Sequence, residues 1–169
     1  MDDPYFENKI VSEVLVRVSK DISETSDLGD ALKAPSVSES LLDLHNRLLT
    51  VRSRQQRVSE LVGTLIRLQG NVRKLVLDRK LELETAEAKV SKKESWKPIV
   101  EDFRSAKERN AELSAKTLDE RVALTAAEKL QVDVDVALAY AQGVYRELGN
   151  QAFDVSTRIK VLGMEGTLG

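Results

Sequence analysis

Nine cationic side chains crowd residues 47–80: Arg47, Arg52, Arg54, Arg57, Arg67, Arg73, Lys74, Arg79 and Lys80. Only Glu60 and Asp78 oppose them there, so this stretch carries +7 in a chain whose formal net charge is −2. Residues 1–46 carry −6 and residues 81–169 carry −3. Guanidinium and ammonium groups at this density are suited to phosphate or carboxylate groups, by Coulomb attraction and by charge-assisted hydrogen bonds. A helix could also use such cations as a solvated face laced with ion pairs. Two acids cannot match nine cations within the stretch, so neutralisation must come from elsewhere in the chain, from another subunit or from an anionic partner. Arg67, Arg73, Lys74, Arg79 and Lys80 are the candidates for contacts to nucleic-acid phosphates.

The rest of the reactive inventory is sparse. His45 is the sole histidine and there is no cysteine. Thiol catalysis, disulfides, Cys-ligated zinc and iron–sulfur clusters are therefore excluded. A di-iron carboxylate site built on paired Glu-x-x-His motifs needs more than one histidine. No phosphate-binding glycine loop, dinucleotide fingerprint or zinc spacing occurs. We expect no catalytic residue, no metal site, no cofactor and no enzymatic activity. Base stacking would need exposed rings. Trp96, in a polar stretch beside Lys93 and Lys97, is the expected one, whereas Tyr140 and Phe153 are expected to pack at helix interfaces.

These cations sit on a long helical pattern. Alternate steps of three and four residues from Leu41 reach Leu44, Leu48, Val51, Gln55, Val58, Val62, Leu65, Gln69, Val72, Val76, Arg79, Leu83, Ala86 and Val90. All are apolar but Gln55, Gln69 and Arg79, and no proline interrupts the run. A heptad pattern sustained this far predicts a helix seeking a partner helix. Fifty residues of helix extend about 75 Å, more than the width of a compact globule of this length. Gln55 and Gln69 in the seam are expected to set register or oligomeric state. Leu61, Leu68 and Leu75 lie beside the seam and widen it, which predicts a third contact and a homo-oligomer.

The remaining elements follow from punctuation. Asp3-Pro4 and the spacing of Tyr5, Phe6, Ile10, Val14 and Val18 predict a first helix over residues 4–22, with Tyr5 and Phe6 docking it. Residues 23–37 read as a linker. Ser36 and Glu39 form a capping-box pattern at the start of the long helix. Polar residues 91–95 and Pro98 predict a break. A short helix over 98–114 carries Ile99, Val100, Phe103 and Ala106. A second capping box, Thr117 with Glu120, opens a second long stripe. That stripe runs through Ala123, Ala126, Leu130, Val134, Ala137, Ala141, Val144, Leu148, Ala152, Val155, Ile159 and Leu162, close to the coiled-coil period. The expected fold is all-α: an elongated antiparallel coiled-coil or helical-hairpin bundle with a short N-terminal helix, oligomeric. Residues 1–37 form the helix and linker, and 38–169 the hairpin core. Aromatic content of 4% against 32% charged residues suits helices more than sheets. No apolar run approaches the length of a membrane span, and the acidic start Met1-Asp2-Asp3-Pro4 is unlike a signal peptide. The chain reads as a soluble, cytoplasmic protein without membrane contact.

The order of elements over residues 40–169, about three quarters of the chain, resembles a known family. An Arg- and Lys-rich long helix is followed by a polar break and the start Lys116-Thr117-Leu118-Asp119-Glu120-Arg121. An Ala- and Val-rich helix then closes with Ala152-Phe153-Asp154-Val155-Ser156-Thr157-Arg158-Ile159-Lys160. This is similar to the phage recombination-mediator family, the UvsY-like proteins. The resemblance implies an oligomeric helical protein that binds single-stranded DNA, contacts a single-strand-binding protein and helps load a RecA-like recombinase, acting in the host cytoplasm. It implies DNA contacts on the long helix before the break, where Arg73, Lys74, Arg79 and Lys80 stand. The acidic N-terminal forty residues depart from the family pattern. The competing expectation is a coiled-coil structural or assembly protein, such as a phage virion component, scaffold or adaptor, whose basic face meets an acidic protein surface.

Overall fold

The computed structural model describes residues 4–26, 40–92 and 106–165. They form four helices: α1 Pro4–Ser26, α2 Leu41–Lys92, α3 Ala106–Lys116 and α4 Leu118–Glu165. No strand occurs among the described residues, and the fold is all-α as the periodicity predicts.

Helix α2 begins on a reciprocal cap. The Ser40 hydroxyl oxygen accepts from the Asp43 N–H at 3.2 Å, and Asp43 Oδ2 accepts from the Ser40 N–H at 3.3 Å and the Ser40 hydroxyl at 2.6 Å. Two N–H groups that the first turn leaves without helical partners are thereby satisfied, and a carboxylate sits where the helix dipole favours it. The cap lies four residues beyond Ser36 and Glu39, which fall outside the described residues.

The predicted seam is the buried one. Of its fifteen positions on α2, only Leu41 is exposed; the others are buried or half-buried. The flanking leucines follow, with Leu61 half-buried and Leu68 and Leu75 buried. On α4 the twelve predicted positions are likewise buried or half-buried except Ala126. The core takes Ala127 in its place, fully buried, because Ala127 and Leu124 are the residues that meet Leu75 and Val76.

Contacts divide the chain into two units. One comprises residues 13–67 and 135–169. Within it α2 and α4 pack through Val51, Val58 and Leu148, with Val62, Val144 and Ala152 against them. Gly149 admits Gln55: a Cβ there would stand 3.0 Å from Gln55 Nε2. The C-terminal part of α1 belongs to this unit and buries Val18 and Ile22. The helix reaches Ser26, one turn past its expected end at residue 22. The side chains of Tyr5 and Phe6 lie outside the described residues.

The other unit comprises residues 1–12 and 68–134. Here the antiparallel course of α2 and α4 is explicit. Lys80 meets Glu128 at 3.6 Å, and Glu87, one heptad later on α2, accepts from Arg121, one heptad earlier on α4. The α3–α4 junction differs from expectation. Thr117 does not cap α4. It is fully buried, its N–H and hydroxyl both donate to the Leu113 carbonyl, and its hydroxyl oxygen accepts from Arg121 Nε at 3.1 Å. Arg121 N–H in turn donates to the Thr117 carbonyl. Spacing of i to i−4 thus continues through the junction, and α3 runs into α4 across one residue. A burying contact captured the hydroxyl that a free helix end would have used for capping. Ile99, Val100 and Phe103 lie outside the described residues.

Candidate nucleic-acid interface

Helix α2 has no proline and spans 52 residues, so its outer side chains stand in fixed rows. Arg67 and Lys74 are one heptad apart in one row; Arg73 and Lys80 occupy the adjacent row. One heptad is about 10.5 Å along the axis. All four side chains belong to exposed residues. Arg73 and Lys74 make no ion pair or hydrogen bond among the described residues. Arg67 donates only to the Thr64 hydroxyl, at 3.4 Å. Lys80 reaches Glu128 at 3.6 Å with both side chains about half exposed, an arrangement that contributes little stability in water and yields readily to a competing anion.

Arg79 is set apart from these four. It occupies a seam position, its side chain is 12% exposed, and its guanidinium lies 2.6 Å from Glu82 one turn on. The local carboxylate matches its charge, leaving Arg79 to the packing of the hairpin. Gln55 and Gln69 are half-buried in the seam. Trp96 lies outside the described residues. Tyr140 and Phe153, expected at helix interfaces, are 52% and 71% exposed on α4. The seam side of α4 is made of small Ala137 and Ala141 and aliphatic Val144, Leu148 and Val155, all buried or half-buried.

The basic face also carries apolar side chains outside the seam. Ile66, Leu77 and Leu81 are 50%, 66% and 64% exposed. Leu77 follows Arg73 by four residues and precedes Lys80 by three, and Leu81 follows Lys74 by one heptad. The face is therefore amphipathic, with cations beside aliphatic groups. It resists reading from sequence because these residues fall off the heptad run and look like random polar-face substitutions.

Elsewhere on the same helix, Arg54 stands half-buried, its NH1 nitrogen buried and without a hydrogen-bond partner among the described residues. His45 Nδ1 lies 2.8 Å from the Leu41 carbonyl one turn back. A carbonyl can only accept, so Nδ1 carries the proton. No group of three or more His, Asp or Glu side chains is arranged to hold a metal ion among the described residues. No described helix is long and apolar enough to cross a membrane. Comparison with protein-family models, with curated proteins and with solved structures finds no match to this chain.

Proposed function

We propose that this chain is a non-enzymatic helical protein whose outer α2 face binds the phosphate backbone of single-stranded DNA. The observation that carries the reading is the pair Arg73 and Lys74, exposed and without acidic partners among the described residues, with Arg67 and Lys80 one heptad to either side. Cations left unpaired on a rigid helix are preorganised for a polyanion, and binding gains from the counterions that each phosphate contact releases. Ile66, Leu77 and Leu81 offer apolar contact to the sugars and base faces of an unpaired strand. By resemblance to the recombination mediators, the bound strand would be handed to a RecA-like recombinase displacing a single-strand-binding protein, in the cytoplasm and through a homo-oligomer that multiplies weak single-site contacts.

The test is fluorescence anisotropy of a labelled single-stranded oligonucleotide across a salt series. Four phosphate contacts per copy predict a slope of log K against log salt of about −3. Arg73→Glu with Lys74→Glu should abolish binding at moderate salt. Unchanged affinity in that variant would remove the site, and no wild-type binding at low salt would remove the function.

A second reading has its own support. The exposed aliphatic groups between the cations also suit an amphipathic, acidic protein surface. A coiled-coil assembly or structural protein would then co-purify with a protein partner and ignore oligonucleotides.

A further inference from the structure

Phe153 is the most exposed aromatic ring among the described residues, 71% open to solvent. It stands in the C-terminal half of α4, about 140° or more round the helix from the seam residues Val144, Leu148 and Val155. Arg146 and Lys160 stand one heptad to either side. Each is about 10.5 Å from Phe153 along the axis and within about 20° of the same line. Both are exposed, and neither makes an ion pair or hydrogen bond among the described residues. The whole row lies inside the unit of residues 13–67 and 135–169. The acids nearest in sequence, Glu147 and Asp154, lie about 120° and 100° round the helix from the ring. Glu147 is moreover engaged by Gln151 Nε2 at 3.0 Å. Asn150 and Thr157, both exposed, complete the face beside the ring. The Thr157 hydroxyl donates to the Phe153 carbonyl at 2.9 Å, which leaves its oxygen free to accept.

The composition of the face selects its occupant. A partner helix needs a repeating apolar row. Here the neighbours of the ring one turn away on the exposed side are Gly149, Asn150 and Thr157, and none has an aliphatic side chain. One ring alone is enough for a flat heteroaromatic group, which stacks on it whatever its sequence. Two unpaired cations in line with that ring call for an anion on each side of the flat group. An unpaired nucleic-acid strand has both features, bases that can leave their stack and a phosphate at every nucleotide. A duplex keeps its base faces covered. We propose that this face of α4 is a base-stacking site for a single nucleic-acid strand. A base lies on the Phe153 ring, and phosphates to either side meet Arg146 and Lys160. The Asn150 amide and the Thr157 hydroxyl are polar groups that base edges or sugars can meet beside the ring. The site uses no residue of α2, and it stands whether or not the α2 face binds DNA.

The test uses full-length protein and a labelled oligothymidylate at low salt, read by anisotropy. Phe153→Leu keeps an apolar side chain but removes the ring, and should weaken binding about fivefold or more. Phe153→Trp should bind as tightly as wild type or tighter. Neither variant should change the salt slope, because neither changes a charge. Arg146→Gln with Lys160→Gln should flatten that slope by about 1.4, for two phosphate contacts to a single strand. An abasic oligonucleotide of the same length has phosphates without bases, and wild type and Phe153→Leu should bind it alike. Repeating the Phe153 series in the Arg73→Glu, Lys74→Glu variant separates this site from the α2 face. A retained loss on Phe153→Leu there supports the α4 site whatever becomes of α2. Unchanged oligothymidylate binding by Phe153→Leu would overturn the proposal, as would an equal loss on the abasic strand. A change of oligomeric mass in Phe153→Leu, seen by mass photometry without nucleic acid, would also overturn it, because the ring would then be covered by another copy of the chain.

Discussion

Gly63 and Gly70 stand in the interior of α2, where glycine leaves the helix about 1 kcal/mol less stable than alanine would. A Cβ at either position would meet nothing within 4 Å. Gly63→Ala and Gly70→Ala should therefore each stabilise the protein by about 0.5–1 kcal/mol, read as a higher urea midpoint. A loss of stability at either would mean that something covers that face. Gly149 differs: its missing side chain accommodates Gln55, and alanine there must move the amide. Single residues also show where reading by type fails. Arg79 and Lys80 are neighbours of similar charge, yet one is tucked against Glu82 at 12% exposure and the other stands outward at 52%. The heptad run marks Arg79 as a seam residue, so this difference was legible. The attachment of Lys80 to Glu128 was not, because it depends on the register between α2 and α4.

At the scale of the element, helix α2 owes its start to Ser40 and Asp43. Ser40→Ala removes the hydroxyl that accepts the Asp43 N–H and should cost about 1 kcal/mol, measured by urea denaturation; no effect would show that the first turn contributes nothing to stability. The packing of α2 on α4 rests on aliphatic side chains such as Leu148, 1% exposed within the Val51 and Val58 cluster. Leu148→Ala should cost about 2–5 kcal/mol, seen as a drop in the same midpoint; a cost below 1 kcal/mol would mean that the cluster is loosely packed. Both helices were legible from apolar spacing, including the widened stripe at Leu61, Leu68 and Leu75. The α3–α4 junction was not. Thr117-Leu118-Asp119-Glu120 has the form of a capping box, but the Leu113 carbonyl takes the hydroxyl proton and Arg121 takes its oxygen.

At the scale of the molecule, the proposed function rests on charges left unmatched among the described residues after the hairpin forms. Because Arg73 and Lys74 together represent two of four proposed phosphate contacts, neutralising both as Arg73→Gln with Lys74→Gln should flatten the salt dependence of oligonucleotide binding by about 1.4 in slope. An affinity loss without a change of slope would point to a protein or base contact instead of phosphate.

What the sequence determined alone was the local order: helices in place of strands, their approximate spans and the faces they bury. Proline-free heptad spacing and aliphatic composition act over a few turns, and apolar periodicity leaves the chain one favourable way to hide those side chains. Tertiary structure decided which polar groups remained available. Lys80 found Glu128, Arg121 found Glu87, Arg73 and Lys74 found no partner among the described residues, and Phe153 was left outside the core. Those outcomes depend on the register of residues some 30 to 50 positions apart, and ion pairing is decided by distances of a few ångströms that periodicity does not specify.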